Sequence, residues 1–273
     1  MKTSRYEARM LRAEYLAEKY PFAGQILQFF QHITRFQSDL SARIPELRGG
    51  GQPVGPPEKQ VRSELNLALL LPYYPTFLTL VRQHAPEPLA QAAEAVAAKG
   101  APAWIELFED HWASGGKRVE ESEDAKEDFL CRGFLQPFAE VAAERKQAPI
   151  QSTASLVCPL CEARPVAGIL RPEGDGGKRF LLCSFCGHEW EFRRILCASC
   201  GEEREGQLPV FVAEQFPQIR VEACDTCRHF LRTIDLTKDG NAMPIVDDLA
   251  AIPLTLWADE HGYKRIEPNL LKT

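Results

Sequence analysis

Cys158-Pro-Leu-Cys161, Cys183-Ser-Phe-Cys186, Cys197-Ala-Ser-Cys200 and Cys224-Asp-Thr-Cys227 hold eight of the nine cysteines in a chain of 273 residues. A Cys-x-x-Cys turn aims two thiolates at one ion, and two such turns complete a tetrahedral S4 shell with no other ligand. Four turns therefore predict two closed metal sites. Twenty-one residues (162–182) separate the first pair from the second and 23 (201–223) the third from the fourth, whereas only ten (187–196) lie between the second and third. This is ribbon spacing, two knuckles joined by a hairpin. It assigns Cys158, Cys161, Cys183 and Cys186 to one site and Cys197, Cys200, Cys224 and Cys227 to the other.

The two halves also resemble each other. Pro165-Val-Ala-Gly-Ile-Leu follows the first knuckle and Pro209-Val-Phe-Val-Ala the third, and His188 and His229 each sit two residues beyond the last cysteine of their half. The pattern reads as a tandem duplication. With four cysteines available per site, both histidines are expected beside the sites or at the surface rather than as ligands. Gly187 and Gly201 directly follow the second cysteine of their pairs, where glycine allows a tight turn, but Glu162 and Arg228 occupy the matching positions elsewhere. Knuckles one and four are therefore expected to surround their sulfurs less regularly with N–H groups, and the fourth to be more labile.

Outward from the cysteines, the chain before residue 150 reads as helical. Residues 3–20 lack Gly and Pro, and residues 22–40 place Ile26, Phe29, Phe30, Ile33 and Phe36 at helical spacing, an expected core stripe. Pro21 marks the junction. A Gly- and Pro-rich loop is expected over 49–57, and further helices over 58–71, 87–99, 101–112 and 123–146. Cys131, beside Phe129, Leu130 and Phe134, reads as a buried structural thiol. His32, His84 and His111 form no local ligand or triad pattern. Residues 147–155 form the expected linker.

Short strands are expected at 164–171, 178–182, 189–193, 208–212, 218–222 and 230–236, with 174–177 as the first hairpin tip. Asp247-Asp248 is expected to cap a C-terminal helix running through Leu249, Ile252, Leu256 and Trp257, with Trp257 packing it onto the ribbons. The fold class is thus α+β. An all-helical domain (1–150) precedes two rubredoxin-like or zinc-ribbon modules (151–193 and 194–240) and a helical segment (241–273) that packs on them.

Composition narrows the function. The chain is 45% hydrophobic and 26% charged, ordinary for a globular protein. The charged residues 1–10 lack the apolar run of a signal peptide, and the most apolar run, 65–81, is interrupted by Asn66, Pro72 and Pro75. A cytoplasmic protein with no membrane span is expected, and in that compartment paired cysteines at this spacing read as metal ligands rather than disulfides. The net charge of −6 concentrates in the ribbon half, where 14 basic residues face 18 acidic ones. Four thiolates around a divalent ion add further negative charge, so nucleic-acid binding is disfavoured.

These residues resemble the formate dehydrogenase accessory protein E family. The resemblance rests on Cys158-Pro-Leu-Cys161 with Pro165-Val-Ala and on Cys183-Ser-Phe-Cys186-Gly-His-Glu-Trp190 through Arg193, Arg194, Cys197 and Cys200. It continues in Cys224-Asp-Thr-Cys227 with Phe230-Leu231, in Asp247-Asp248-Leu249-Ala250 and in His261-Gly262-Tyr263. It implies a cytoplasmic, non-catalytic factor that contacts the catalytic subunit of formate dehydrogenase before export, with the eight cysteines holding iron in two rubredoxin-like Fe(Cys)4 sites. Zinc is the alternative occupant. Homodimer formation is left open, and the alternative functions are a zinc-ribbon nucleic-acid protein and a rubredoxin-like electron carrier.

Overall fold

The computed structural model describes residues 4–44, 67–114, 124–145, 154–174 and 176–273. The loop expected over 49–57, the start of the helix expected from residue 58 and most of the linker lie outside these residues. Helix α1 (Arg5–Lys19) opens with Ser4, whose hydroxyl accepts the Glu7 N–H at 3.1 Å. A 3-10 turn over Pro21–Ala23 leads into α2 (Gly24–Arg43), which buries Phe29, Phe30 and Ile33 as the stripe predicts. A helical turn at Leu67–Leu70 precedes α3 (Tyr74–His84), α4 (Glu87–Lys99), α5 (Ala101–Ser114) and α6 (Asp124–Glu144).

Tyr74 packs its ring against Phe108 and Phe134 at centroid distances of 4.7 and 4.8 Å, joining α3, α5 and α6. Cys131 is buried in this core, as expected. Pro137 lies inside α6 and has no N–H to give the Gly133 carbonyl one turn earlier. Gln37 of α2 supplies the missing donor, its Nε2 lying 2.8 Å from Gly133 O. A helix that its own sequence would break is thereby carried through by a neighbour.

The ribbon half builds one sheet. Strands β1 (Pro165–Glu173), β2 (Gly176–Cys183) and β3 (Glu189–Glu191) form an antiparallel meander, and β4 (Val210–Val212), β5 (Ile219–Ala223) and β6 (His229–Asp235) form a second. The sheet order is β3-β2-β1-β6-β5-β4, because β6 lies parallel to β1 with Gly168 opposite Thr233, Ile169 opposite Ile234 and Leu170 opposite Asp235. Gly168 is required at this seam. A Cβ there would fall 2.2 Å from Thr233 Oγ1. A short β7 (Lys264–Arg265) adds to β6.

The C-terminal segment departs from expectation. It forms two helices, α7 (Pro244–Ala250) and α8 (Ile252–Glu260), broken at Ala251 where Pro253 occupies the first turn of α8. Asp247 and Asp248 do not cap a helix start. They lie inside α7, 1% exposed, as the acidic hubs of buried ion pairs. Asp248 receives Arg232 at 2.8 Å, Arg265 at 2.5 Å and Asn269 Nδ2 at 2.7 Å. Arg12 of α1 reaches Asp247 at 2.6 Å and Asp239 at 2.7 Å.

Two apolar cores result. One joins α2 to α6 with the first two knuckles and β2 and β3. The other packs α1, α7 and α8 on β1, β5 and β6. Arg9 of α1 meets Glu140 of α6 at 2.9 Å while Arg12, one turn on, meets Asp247, so α1 clamps the two cores together through buried charges that are fully paired. Among the described residues no helix is long and apolar enough to cross a membrane.

Candidate metal centres

The cysteines come together as two groups of four, Cys158, Cys161, Cys183 and Cys186 in site 1 and Cys197, Cys200, Cys224 and Cys227 in site 2. This is the grouping expected from the spacing. Within site 1, Sγ atoms stand 3.6 Å (Cys158 to Cys186), 3.3 Å (Cys161 to Cys183) and 3.5 Å (Cys161 to Cys186) apart, and within site 2 the Cys197–Cys227 and Cys200–Cys224 pairs are both at 3.8 Å. An S4 tetrahedron around an ion at about 2.3 Å has edges of about 3.8 Å. Site 2 matches that figure and site 1 is slightly tighter. Every separation is far too long for a disulfide.

Each group is built by two equivalent knuckles. The backbone turns so that N–H groups point at the first sulfur of a pair, Leu160 N at 3.4 Å from Cys158 Sγ, Phe185 N at 3.4 Å from Cys183 Sγ and Ser199 N at 3.3 Å from Cys197 Sγ. The residue after the second cysteine takes positive φ in all four: Glu162 at 62°, Gly187 at 65°, Gly201 at 77° and Arg228 at 56°. The turn itself is thus common to all four, while at knuckles two and three the N–H groups of Cys186 and Cys200 join those of Phe185 and Ser199 at the first sulfur. Glu162 and Arg228 accept a conformation that costs a non-glycine residue about 1–2 kcal/mol. Arg228 is compensated, lying 4.0 Å above the Tyr263 ring, pairing with Asp225 at 2.7 Å and donating to His261 O at 2.6 Å.

The electrostatics call for a cation. Burial pushes the Cys158 and Cys197 thiols well up, while hydrogen bonds from Cys158, Cys183 and Cys186 hold Cys161 down. Four sulfurs this close cannot all carry charge in a protein interior without a positive ion between them. The donor set, the spacing and the N–H groups aimed at sulfur fit a tetrahedral thiophilic ion, zinc or iron. Neither histidine joins the sulfur groups. Burial makes His188 harder to protonate, and His229 holds its Nδ1 2.8 Å from Cys227 O.

The two centres differ in their surroundings. Site 1 is sealed, with all four cysteines buried among Leu160, Phe185 and Trp190 of the helical core. Arg132 of α6 donates to Ser184 O inside the second knuckle at 2.8 Å, and Glu140 lies against Gly187. Site 2 is open, with Cys200 exposed and Cys227 half-buried. Arg132, Glu140 and Arg9 escaped the sequence reading. Their one signal was the recurrence of Arg5, Arg9 and Arg12 at helical spacing, which reads on its own as a solvated face. Trp257 packs α8 against the sheet, its ring 4.6 Å from Phe211, as expected.

Residues 157–194 match the family described as FdhE, central domain, and residues 195–272 match FdhE, C-terminal domain, the division falling between the two metal centres. A protein FdhE homolog of Aquifex aeolicus is 28% identical, over 97% of this chain and 94% of that one. Residues 157–272 are FdhE-family sequence. The FdhE homolog of Pseudomonas aeruginosa is 35% identical over 45% of this chain and 42% of its own length, and that of Stutzerimonas stutzeri 38% identical over 42% and 38%. The crystal structure of the FdhE protein from Pseudomonas aeruginosa superposes over all of this chain and 97% of its own with a TM-score of 0.74 at 23% identity, so the two share a fold. That FdhE protein thus shares this α+β arrangement across the full length of the chain.

Proposed function

We propose that this FdhE-family chain is a non-enzymatic accessory protein for the maturation of formate dehydrogenase, engaging the catalytic subunit in the cytoplasm before export. On this reading Cys158, Cys161, Cys183 and Cys186 ligate one ion and Cys197, Cys200, Cys224 and Cys227 another, with iron as the native metal and zinc able to replace it. The observation that carries the proposal is the pair of all-cysteine tetrahedra in a chain of this family. Each shell is filled by sulfur, which leaves no coordination position for water or substrate and weighs against metal-assisted hydrolysis. A bound ion supplies a crosslink to each ribbon and, if it is iron, a one-electron couple as well.

Anaerobic purification from the native host, with metal analysis and identification of co-purifying proteins, tests the proposal. Two ions per chain and a formate dehydrogenase catalytic subunit are the expected result. One ion per chain, or salt-sensitive retention on nucleic acid in place of the enzyme subunit, refutes it. Full maturation by a zinc-loaded protein would restrict the ions to a structural role.

A further inference from the structure

The two ribbons superimpose when each is counted from its own knuckle. Gly168 pairs with Leu181, two residues before Cys183, and Val210 pairs with Glu222, two residues before Cys224. On the other side Trp190 faces Leu181 and Leu231 faces Glu222. Gly168-Ile-Leu170 of β1 therefore corresponds to Val210-Phe-Val212 of β4, and β3 corresponds to β6. The sheet order β3-β2-β1-β6-β5-β4 is thus one ribbon followed by its translated copy, the third strand of the second ribbon lying on the first strand of the first. It lies on Gly168, Ile169 and Leu170, the three residues whose counterparts in β4 form the far edge of the sheet. Among the described residues no strand pairs with that edge.

The edge is built to take a strand. The Ala223 N–H donates to Pro209 O at 3.0 Å, which turns the backbone groups of Pro209 and Phe211 toward β5 and those of Val210 and Val212 outward. Val210 and Val212 are 53% and 70% exposed, and nearby Leu256 on α8 is 58% exposed. A cleft of about 470 Å³ opens beside the strand, lined by Phe211, Pro253, Leu254 and Trp257. The opposite edge of the sheet is guarded. There Glu189 and Glu191 of β3 are held in ion pairs by Arg171 at 2.8 Å and Lys178 at 3.0 Å, charges that discourage strand addition.

We propose that the outer edge of β4 binds an extended apolar segment of a partner protein, added as a parallel strand in the register that β6 keeps on β1, with a glycine or other small residue opposite Val210. The internal repeat shows which kind of occupant fits, because the same three positions in the first ribbon are covered by Thr233, Ile234 and Asp235 of a parallel strand; there Thr233 lies over Gly168, so with Val210 in the glycine's place the residue over it must be small. A second copy of this chain fits poorly. In that register its Phe192, Arg193 and Arg194, just beyond the end of β3, would face Val210, Phe211 and Val212, and head-to-tail addition would propagate without closing. Assignment of the segment to the formate dehydrogenase catalytic subunit rests on the maturation reading above; the edge itself does not.

The test uses the full-length, metal-loaded protein and a labelled peptide with the β6 sequence, residues 229–235, carrying Thr233→Gly so that a small residue faces Val210. Saturable binding should slow amide exchange at Val210 and Val212 by at least about tenfold, and Val212→Pro should weaken binding at least about tenfold by removing one outward donor. Because that N–H does not serve the β5 ladder, Val212→Pro should keep its circular dichroism and two bound ions. Val212→Thr, which keeps the donor, should bind as the wild type does. Unchanged exchange at Val210 and Val212, or binding by Val212→Pro within twofold of wild type, overturns the proposal. So does self-association in sedimentation that Val212→Pro abolishes, since a second copy would then hold the edge. Overlapping peptides from the catalytic subunit separate the two readings: if the β6 peptide binds and none of these does, the assignment to that client falls and the edge remains.

Discussion

Loaded with zinc and challenged with excess chelator, the protein should surrender its two ions in separate phases, site 2 first. Cys200 is exposed and Cys227 half-buried, so a chelator reaches site 2 with the fold intact. The sulfurs of site 1 are reached only by lifting its second knuckle with Phe185 and Trp190, 5% and 1% exposed, out of the helical core. Uncovering two side chains of that size costs about 1.5–3 kcal/mol each. The opening therefore costs about 3–6 kcal/mol, which makes the slow phase about 10²- to 10⁴-fold slower than the fast one. Metal release followed with a colorimetric chelator should show two phases of one ion each. Cys227→Ser should release its site 2 ion faster still or bind none, leaving the slow phase intact, whereas Cys186→Ser should remove the slow phase alone. A single phase releasing both ions, or loss of the fast phase in Cys186→Ser, would refute the assignment of accessibility to burial.

Other perturbations probe the scaffold. Asp248→Ala leaves Arg232 and Arg265 buried without their carboxylate and should cost about 3–5 kcal/mol in denaturant unfolding. Burial alone would raise the Asp248 carboxyl, but Arg232 and Arg265 hold it below its ordinary value of 3.8. Its stabilisation is therefore complete above that pH and lost as pH falls through the lower folded value, and an acid titration of Asp248→Asn should lack this component. Gly168→Ala drives a methyl into Thr233 Oγ1 and should destabilise the seam between the ribbons by about 1–3 kcal/mol, with Thr233→Gly in the same chain restoring much of the loss. Glu162→Gly removes a side chain from a left-handed turn and should raise stability by up to about 1 kcal/mol in thermal unfolding, the site 1 ion count remaining one.

What could be read from the sequence was what the chain encodes locally. The grouping of the eight cysteines follows from short separations, and each of the six expected strands overlaps an observed one because period-2 patterning and turn residues act over a few positions. The joining of the ribbons was not legible. The β1–β6 pairing links residues some 65 apart, and its one trace is Gly168, which reads as an ordinary strand glycine until Thr233 is placed beside it. Asp247 and Asp248 were misassigned for a similar reason, since adjacent aspartates before an apolar run match a helix cap and only their distant arginine partners show otherwise. The sealing of site 1 depends on α6 lying across it, which no local pattern encodes.

The clamp formed by α1 has a consequence for the order of assembly. Each cysteine group closes a loop of about 30 residues, yet Arg12 waits for a carboxylate 235 positions later in the chain. During synthesis, Arg9 of α1 can meet Glu140 once α6 is out but Arg12 stays unpaired until α7 follows, whereas the first ribbon can close on its ion as soon as Cys186 is out. Metal can thus enter site 1 before the clamp between the two cores is complete. Protein folded first and metallated afterwards should fill site 2 promptly and site 1 only at the rate at which the clamp opens.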